Sequence, residues 1–192
     1  MLTLPKTTIT APPVETSGLP TRFFNPGELQ ALMALYTGAK SILEFGVHRG
    51  RNAKAAFMNI PGLERYVGVD VLPGYVPSKK AQATEVPEEA GDLLRHEHRF
   101  ELQVTERGSL DLTTASFGRE FDAIFIDGDH SRAVVEHDTA LAVGWIKPGG
   151  VIIWHDYHDL GTVDVREVLH ERFAAGHQLL HVDGTWIVFE RF

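Results

Sequence analysis

Two apolar runs in this chain stop abruptly at titratable residues. Phe121-Asp-Ala-Ile-Phe-Ile-Asp-Gly-Asp-His130 ends in Asp127 and His130, and Lys147-Pro-Gly-Gly-Val-Ile-Ile-Trp-His-Asp156 ends in His155 and Asp156. Short runs rich in β-branched and aromatic residues read as strands covered on both faces of a parallel sheet, here over 121–126 and 151–154. In open α/β sheets ligands bind beyond the carboxyl ends of the strands, so Asp127, His130, His155 and Asp156 are expected to converge on one crevice. Carboxylates and imidazoles gathered there suit a metal site or acid/base chemistry.

Ser41-Ile-Leu-Glu-Phe-Gly-Val-His-Arg-Gly50 is a further buried strand that breaks into a glycine-containing turn before a helix. Gly46 avoids a Cβ clash where the chain turns, and free N–H groups at the next helix favour a carboxylate or phosphate. The following strand ends at Asp70, the position from which an acid commonly binds ribose hydroxyls in nucleotide folds. Together these features suggest an adenosine-bearing cofactor, with tight strand-to-helix packing as the competing explanation of Gly46 and Gly50. The chain contains no Gly-x-Gly and no Gly-Lys-Ser/Thr, which disfavours NAD and ATP.

Strand ends of this kind need alternating strands and helices to position them. Asn25-Pro-Gly-Glu28 offers an N-cap, a proline at the first helical position and an acid three residues after the cap, starting a helix that runs to about Tyr36. Strands are expected at Ser41–Phe45, Arg65–Asp70 and Phe100–Val104, with a helix over Asn52–Met58 and, after Asp70, a loop and helix to about His98. A helix from Ser131, its N-cap, to Trp145 carries Val134, Val135, Leu141, Ala142 and Trp145 on its apolar face. After a helix over about Val163–Ala174, two apolar runs, His177–Val182 and Thr185–Phe189, flank Asp183-Gly184, a hairpin signal. The expected fold is α/β: a Rossmann-like doubly wound sheet of seven strands, mostly parallel, with the last antiparallel. Residues 1–22, with Pro5, Pro12, Pro13 and Pro20, read as an extended arm suited to covering a site or to a homodimer contact, and 23–192 as a single domain.

Composition narrows the chemistry. The chain has 192 residues, 43% of them hydrophobic and none of them cysteine, so one core is expected, and thiolate nucleophiles and cysteine metal sites are excluded. Its 26 acidic residues outnumber 18 basic ones with no basic stripe, which argues against nucleic acid and for a small-molecule substrate. No apolar run suits a membrane span and the start lacks the order of a signal peptide, so a soluble, cytoplasmic protein is expected.

Taken together, Glu44-Phe-Gly46-Val-His-Arg-Gly50, Asp70, Gly108-Ser109, Phe121 to His130 and Lys147-Pro-Gly-Gly-Val resemble the class I S-adenosylmethionine-dependent methyltransferases. More narrowly, they resemble the metal-dependent O-methyltransferases related to catechol and macrolide-sugar enzymes, over about residues 40–192. The resemblance implies that Glu44 and Gly46 lie beside the methionine part of the cofactor and Asn52 near its carboxylate, with Gly50 also among the cofactor-binding residues. Asp70 would hold the ribose, Ser109 the adenine, and Asp127 would stand between cofactor and metal.

It also implies metal ligands at Asp127, His155 and Asp156. Relatives usually carry acid-acid or acid-amide at the last two positions, whereas His155 supplies nitrogen, which suits manganese, iron, cobalt, nickel or zinc better than magnesium. His130 falls where some relatives place a histidine base, and an imidazole titrates near neutrality. The competing readings are strand-end packing for His155, a turn cap for Asp156 and a plain loop histidine for His130. The function that results is metal-assisted O-methylation of a small hydroxylated molecule. A metal-dependent hydroxylase or hydrolase on the same fold, and a non-catalytic cofactor- or ligand-binding protein, remain open beside it. Loops over 1–36, 71–90 and 157–163 would shape the acceptor site, with Phe23, Phe24, Tyr75 and Tyr157 as a candidate aromatic wall.

Overall fold

Among the described residues, eight strands, numbered in chain order from β1 (Lys6–Thr7) to β8 (Val188–Arg191), form one sheet in the order β1-β7-β8-β6-β5-β2-β3-β4. The computed structural model describes residues 3–19, 26–79 and 84–192. The parallel centre consists of β2 (Ser41–Phe45), β3 (Arg65–Val71), β4 (Phe100–Thr105), β5 (Phe121–Ile126) and β6 (Ile146–Trp154). Beyond it, β8 (Val188–Arg191) runs antiparallel to β6 and to β7 (Leu180–Val182). The expected antiparallel last strand is therefore present.

The sheet has one strand more than the seven expected. Lys6–Thr7, here β1, pairs in parallel with His181–Val182, and the preceding Leu4 is 3% exposed. Prolines and threonines hide this strand from pattern reading because only two residues pair. The rest of the hairpin signal also shifts. Leu180 faces Phe189 and His181 faces Val188, and Val182 N–H donates to Ile187 O, so the turn spans 183–186 rather than Asp183-Gly184 alone. Thr185 closes it, its hydroxyl donating to Val182 O at 2.8 Å and accepting from Ile187 N–H at 3.0 Å.

Helices cover both faces. Along β5, Ile124 and Ile126 enter one apolar cluster with Val135, Trp145 and Leu169, while Ala123 and Phe125 enter the other with Leu29, Leu32 and Ala53. Successive residues of a strand point to opposite faces, so a strand buried on both must be apolar throughout, which is why β5 and β6 carry unbroken hydrophobic runs. One face is covered by α1 (Pro26–Leu35) and α2 (Arg51–Asn59), the other by α3 (Arg132–Trp145) and α4 (Val165–Ala174).

Three local expectations change. No α-helix forms among the described residues between β3 and β4; a 3-10 turn at Asp92–Leu94 stands there, preceded by Gly91, which turns left-handed at φ 69° where a Cβ would meet the Phe100 ring at 2.8 Å. Ser131 precedes α3 as expected but makes no side-chain cap bond. Asp164 accepts from Arg132 N–H at 3.0 Å instead, and Asp129 from Ser131 N–H at 2.8 Å. The expected cap Asn25 and the wall residues Phe23 and Phe24 lie outside the described residues, while Tyr157 turns away from the site, its hydroxyl 2.8 Å from His170 Nε2.

Candidate active site

The chain leaves β2 toward β3 and β4 and returns to β5 on the other side of β2, so the strand order reverses between β2 and β5. Such a switch point opens a crevice beyond the strand ends. Here it is a cavity of about 980 Å³, large enough for a cofactor.

Gly46 shapes its floor. It sits at φ 80°, and a Cβ there would lie 2.1 Å from the Asp127 carbonyl oxygen and 2.8 Å from Gly128 Cα. The glycine is required by the close passage of the β5 end and by the left-handed turn. Next to it, Glu44 is completely buried. Its carboxyl accepts from Asn52 Nδ2 at 2.7 Å and from Tyr66 Oη at 2.9 Å, and burial pushes it up to about 8. Gly50, at φ 83° before α2, has Leu94 where a Cβ would go.

Asp70 closes the far side of β2. Its carboxylate accepts from His48 N–H at 2.6 Å and Val71 N–H at 2.7 Å, which fixes it at the cavity edge; burial nevertheless raises its pKa. Ser109, 7% exposed, lines the same cavity. His137 Nε2 lies 3.0 Å from the Ser109 carbonyl oxygen, which ties the Ser109 turn to α3.

The strand ends of β5 and β6 do meet. His130 Nε2 lies 3.5 Å from Asp127 Oδ1 and 3.1 Å from Asp156 Oδ2, and one ligand atom from each of Asp127, His130 and Asp156 can be chosen so that all lie within 4.8 Å of one another. His155 Nδ1 is 3.2 Å from Asp127 Oδ1 and 3.4 Å from Asp156 Oδ1. Asp156 reaches this position at φ 57°, a left-handed conformation that aspartate tolerates better than most residues. His158 Nε2 stands 3.8 Å from Asp156 Oδ1 and its ring packs at 4.5 Å on Trp186.

The charges interlock. Burial opposes ionisation of Asp127, but the charge of His155 and hydrogen bonds from His130 and His155 outweigh it and hold the carboxyl well below its usual range. Burial likewise depresses both imidazoles, yet Asp127 chiefly drives His155 well above its ordinary value and, with Asp156, raises His130. Two carboxylates between two imidazoles, with an open cavity beside them, fit a divalent cation in donor type and in number.

Glu28 was not legible as a site residue. As the acid three after an N-cap it reads as a capping partner, but it is 3% exposed. Its Oε1 accepts from Trp186 N–H at 2.9 Å and its Oε2 lies 3.5 Å from His155 Nε2. The signal available was only an acid on the apolar face of a short helix.

The comparisons with known proteins agree with this geometry. Residues 43–157 match a family model described as a methyltransferase domain, and the chain belongs to that family. Its motif resemblance to the class I S-adenosylmethionine-dependent methyltransferases thereby holds. Among solved structures, an O-methyltransferase from Bacillus cereus in complex with SAH aligns at TM-score 0.55 and 20% identity, over 92% of this chain and 86% of that one. The O-methyltransferase TomG from Streptomyces achromogenes, involved in tomaymycin synthesis and solved with SAM, aligns at 0.58 and 18%, over 88% and 81%. An SAH-bound methyltransferase from Podospora anserina aligns at 0.58 and 16%, over 88% and 79%. No curated protein sequence matches the chain. No helix among the described residues is long and apolar enough to cross a membrane.

Proposed function

We propose that the protein transfers a methyl group from S-adenosylmethionine to a hydroxyl of a small molecule, assisted by a divalent metal. The observation that carries this reading is the position of Asp127: its backbone forms the cavity floor against Gly46, and its carboxylate belongs to the cluster with His130, His155 and Asp156. A donor cavity and a cluster of metal-ligating groups thus share one residue. In this reading Gly46 and Asn52 face the methionine end, with Glu44 bonded to Asn52 behind them and Gly50 in the turn before α2, while Asp70 faces the ribose and Ser109 the adenine.

The residues present fit both groups. S-adenosylmethionine supplies the electrophilic methyl group, and a divalent cation, when bound, lowers the pKa of a coordinated hydroxyl and fixes its approach. Methyl transfer is an in-line displacement, so the protein mainly aligns acceptor and donor and removes a proton. Asp127, Asp156 and one imidazole would hold the cation. We assign His155 to it, because its Nδ1 faces both carboxylates while Glu28 restrains its other nitrogen, as carboxylates commonly do for metal-bound histidines. His130 is left as the base, taking the acceptor's proton on its ring nitrogen. Trp186, which lines the cavity beside His155, and the loop carrying Tyr75 would meet the acceptor.

Two imidazoles beside carboxylates also suit a metal-dependent hydroxylase, and one experiment separates the readings. Thermal unfolding is followed with SAM or SAH, with and without magnesium, manganese, iron and zinc. A ligand at 100 times its Kd stabilises by about 2.7 kcal/mol. Stabilisation by SAH at millimolar concentration is expected; stabilisation by iron with none by SAH favours the hydroxylase, and no shift with SAH overturns the methyltransferase reading.

A further inference from the structure

Asp138 is a carboxyl that the proposed reaction does not use. It lies within α3, is 1% exposed and lines the large cavity, as does Val134 one helical turn before it. Neither of its carboxyl oxygens makes a well-formed hydrogen bond; the Ser109 hydroxyl is the donor near enough to act on it. Its Oδ2 would stand 3.5 Å from a Cβ on Gly128, which puts it beside the end of β5. Buried polar groups are almost always bonded, so one left over at a cavity wall marks where a ligand supplies the missing partner.

The surroundings describe that ligand. Ser109 borders the carboxyl; Gly108, Val71, which lies where a Cβ on Gly108 would go, and Val134 line the same cavity, the two valines supplying apolar surface. This end of the cavity suits a flat ring with apolar faces and one polar edge. Burial pushes the Asp138 carboxyl up to about 7, against the influence of the Ser109 hydroxyl and His130 and with that of Asp129. A neutral carboxyl offers one O–H donor and one acceptor oxygen side by side. Adenine presents the complement, a ring nitrogen that accepts and an exocyclic amine that donates.

We propose that Asp138 is a specificity-determining residue that pairs through its carboxyl with the polar edge of the cofactor's adenine. The proposal rests on the reading of this cavity as the S-adenosylmethionine site. It assigns α3, which sequence reading treats as a packing helix, a part in cofactor recognition. Asparagine carries the same donor and acceptor as the neutral acid, whereas leucine carries neither.

The test measures Kd of SAH and of adenosine alone by calorimetry for wild type, Asp138→Asn and Asp138→Leu, with ligand-free melting temperatures alongside. Without ligand Asp138→Leu should melt at or above wild type, since an unbonded buried carboxyl has been removed, and Asp138→Asn close to wild type. Asp138→Asn should keep affinity within about threefold, and Asp138→Leu should lose about 10- to 100-fold for both ligands. Leucine binding both ligands like wild type, or losing SAH while keeping adenosine, overturns the proposal. If the leucine variant does not fold, Asp138→Ala replaces it with the same expectations. Wild type that fails to bind SAH overturns the cofactor reading itself, which the variants' results leave untouched when wild type binds.

Discussion

The carbonyl oxygen of Asp127 occupies the space that a side chain on Gly46 would need, 2.1 Å from the ideal Cβ position. The ends of β2 and β5 therefore cross backbone to backbone at the switch point, and the residue proposed to touch both cofactor and metal is placed by a glycine 81 positions earlier in the chain.

Gly46→Ala is expected to be severe. A non-glycine residue in the left-handed region costs on the order of 1–3 kcal/mol, and the Cβ must also push the Asp127 backbone away. Denaturant unfolding should show that loss, and SAH affinity should fall with it. An alanine variant with wild-type stability and affinity would show that the two strand ends are not in contact.

Glu44 makes stability fall with pH. Its folded pKa of about 8 lies above the ordinary value of 4.5, so the folded protein binds a proton that the unfolded chain releases. This contribution is full below pH about 4.5 and is lost as pH rises toward 8. Glu44→Gln, a neutral isostere, should melt on the order of a few °C above wild type at pH 8, with the gap closing toward pH 5. A gap that is constant with pH would mean that Glu44 is ionised in the fold.

His130→Ala should leave SAH binding and metal affinity intact and slow methyl transfer about 10²- to 10⁴-fold. His155→Ala should instead weaken metal binding directly. If His130→Ala is the variant that loses the metal, the two histidines exchange roles, consistent with the close grouping of Asp127, His130 and Asp156.

A nitrogen ligand predicts the order of metals. Manganese, iron, cobalt, nickel or zinc should bind more tightly than magnesium in calorimetric titrations; magnesium preferred over all of them excludes His155 as a ligand.

Glu28→Ala removes the carboxylate behind His155 and the acceptor for Trp186 N–H. Loss of such a supporting group typically costs 10- to 100-fold in metal affinity, roughly, and an unsatisfied buried donor costs about 1–3 kcal/mol of stability. Metal titration and thermal unfolding of the same sample check both; unchanged metal affinity with lowered stability would limit Glu28 to a packing role.

Much of this molecule is written locally. The apolar runs of β5 and β6 identify strands buried on both faces, and their abrupt ends at Asp127 and His155-Asp156 locate the crevice, because strand polarity and side-chain period are set within a few residues. Gly46 and Gly50 were legible for the same reason: a left-handed turn leaves a glycine behind. The helix expected before His98 failed where Gly91 turns left-handed against Phe100, and β1 escaped notice because two paired residues leave no period.

Which side chains face one another across the site could not be read along the chain. Glu28 meets His155 across 127 positions, Thr185 moves the hairpin turn so that Trp186 borders the cavity, and Asp138 faces the same cavity from α3. Local pattern settled the central parallel strands, the antiparallel last strand and the chemistry available at the strand ends, but not the short edge strand β1. Only the packing of α1, α3 and the β7–β8 turn against that sheet decided which acids and rings lie within bonding distance, because those distances depend on how whole elements dock.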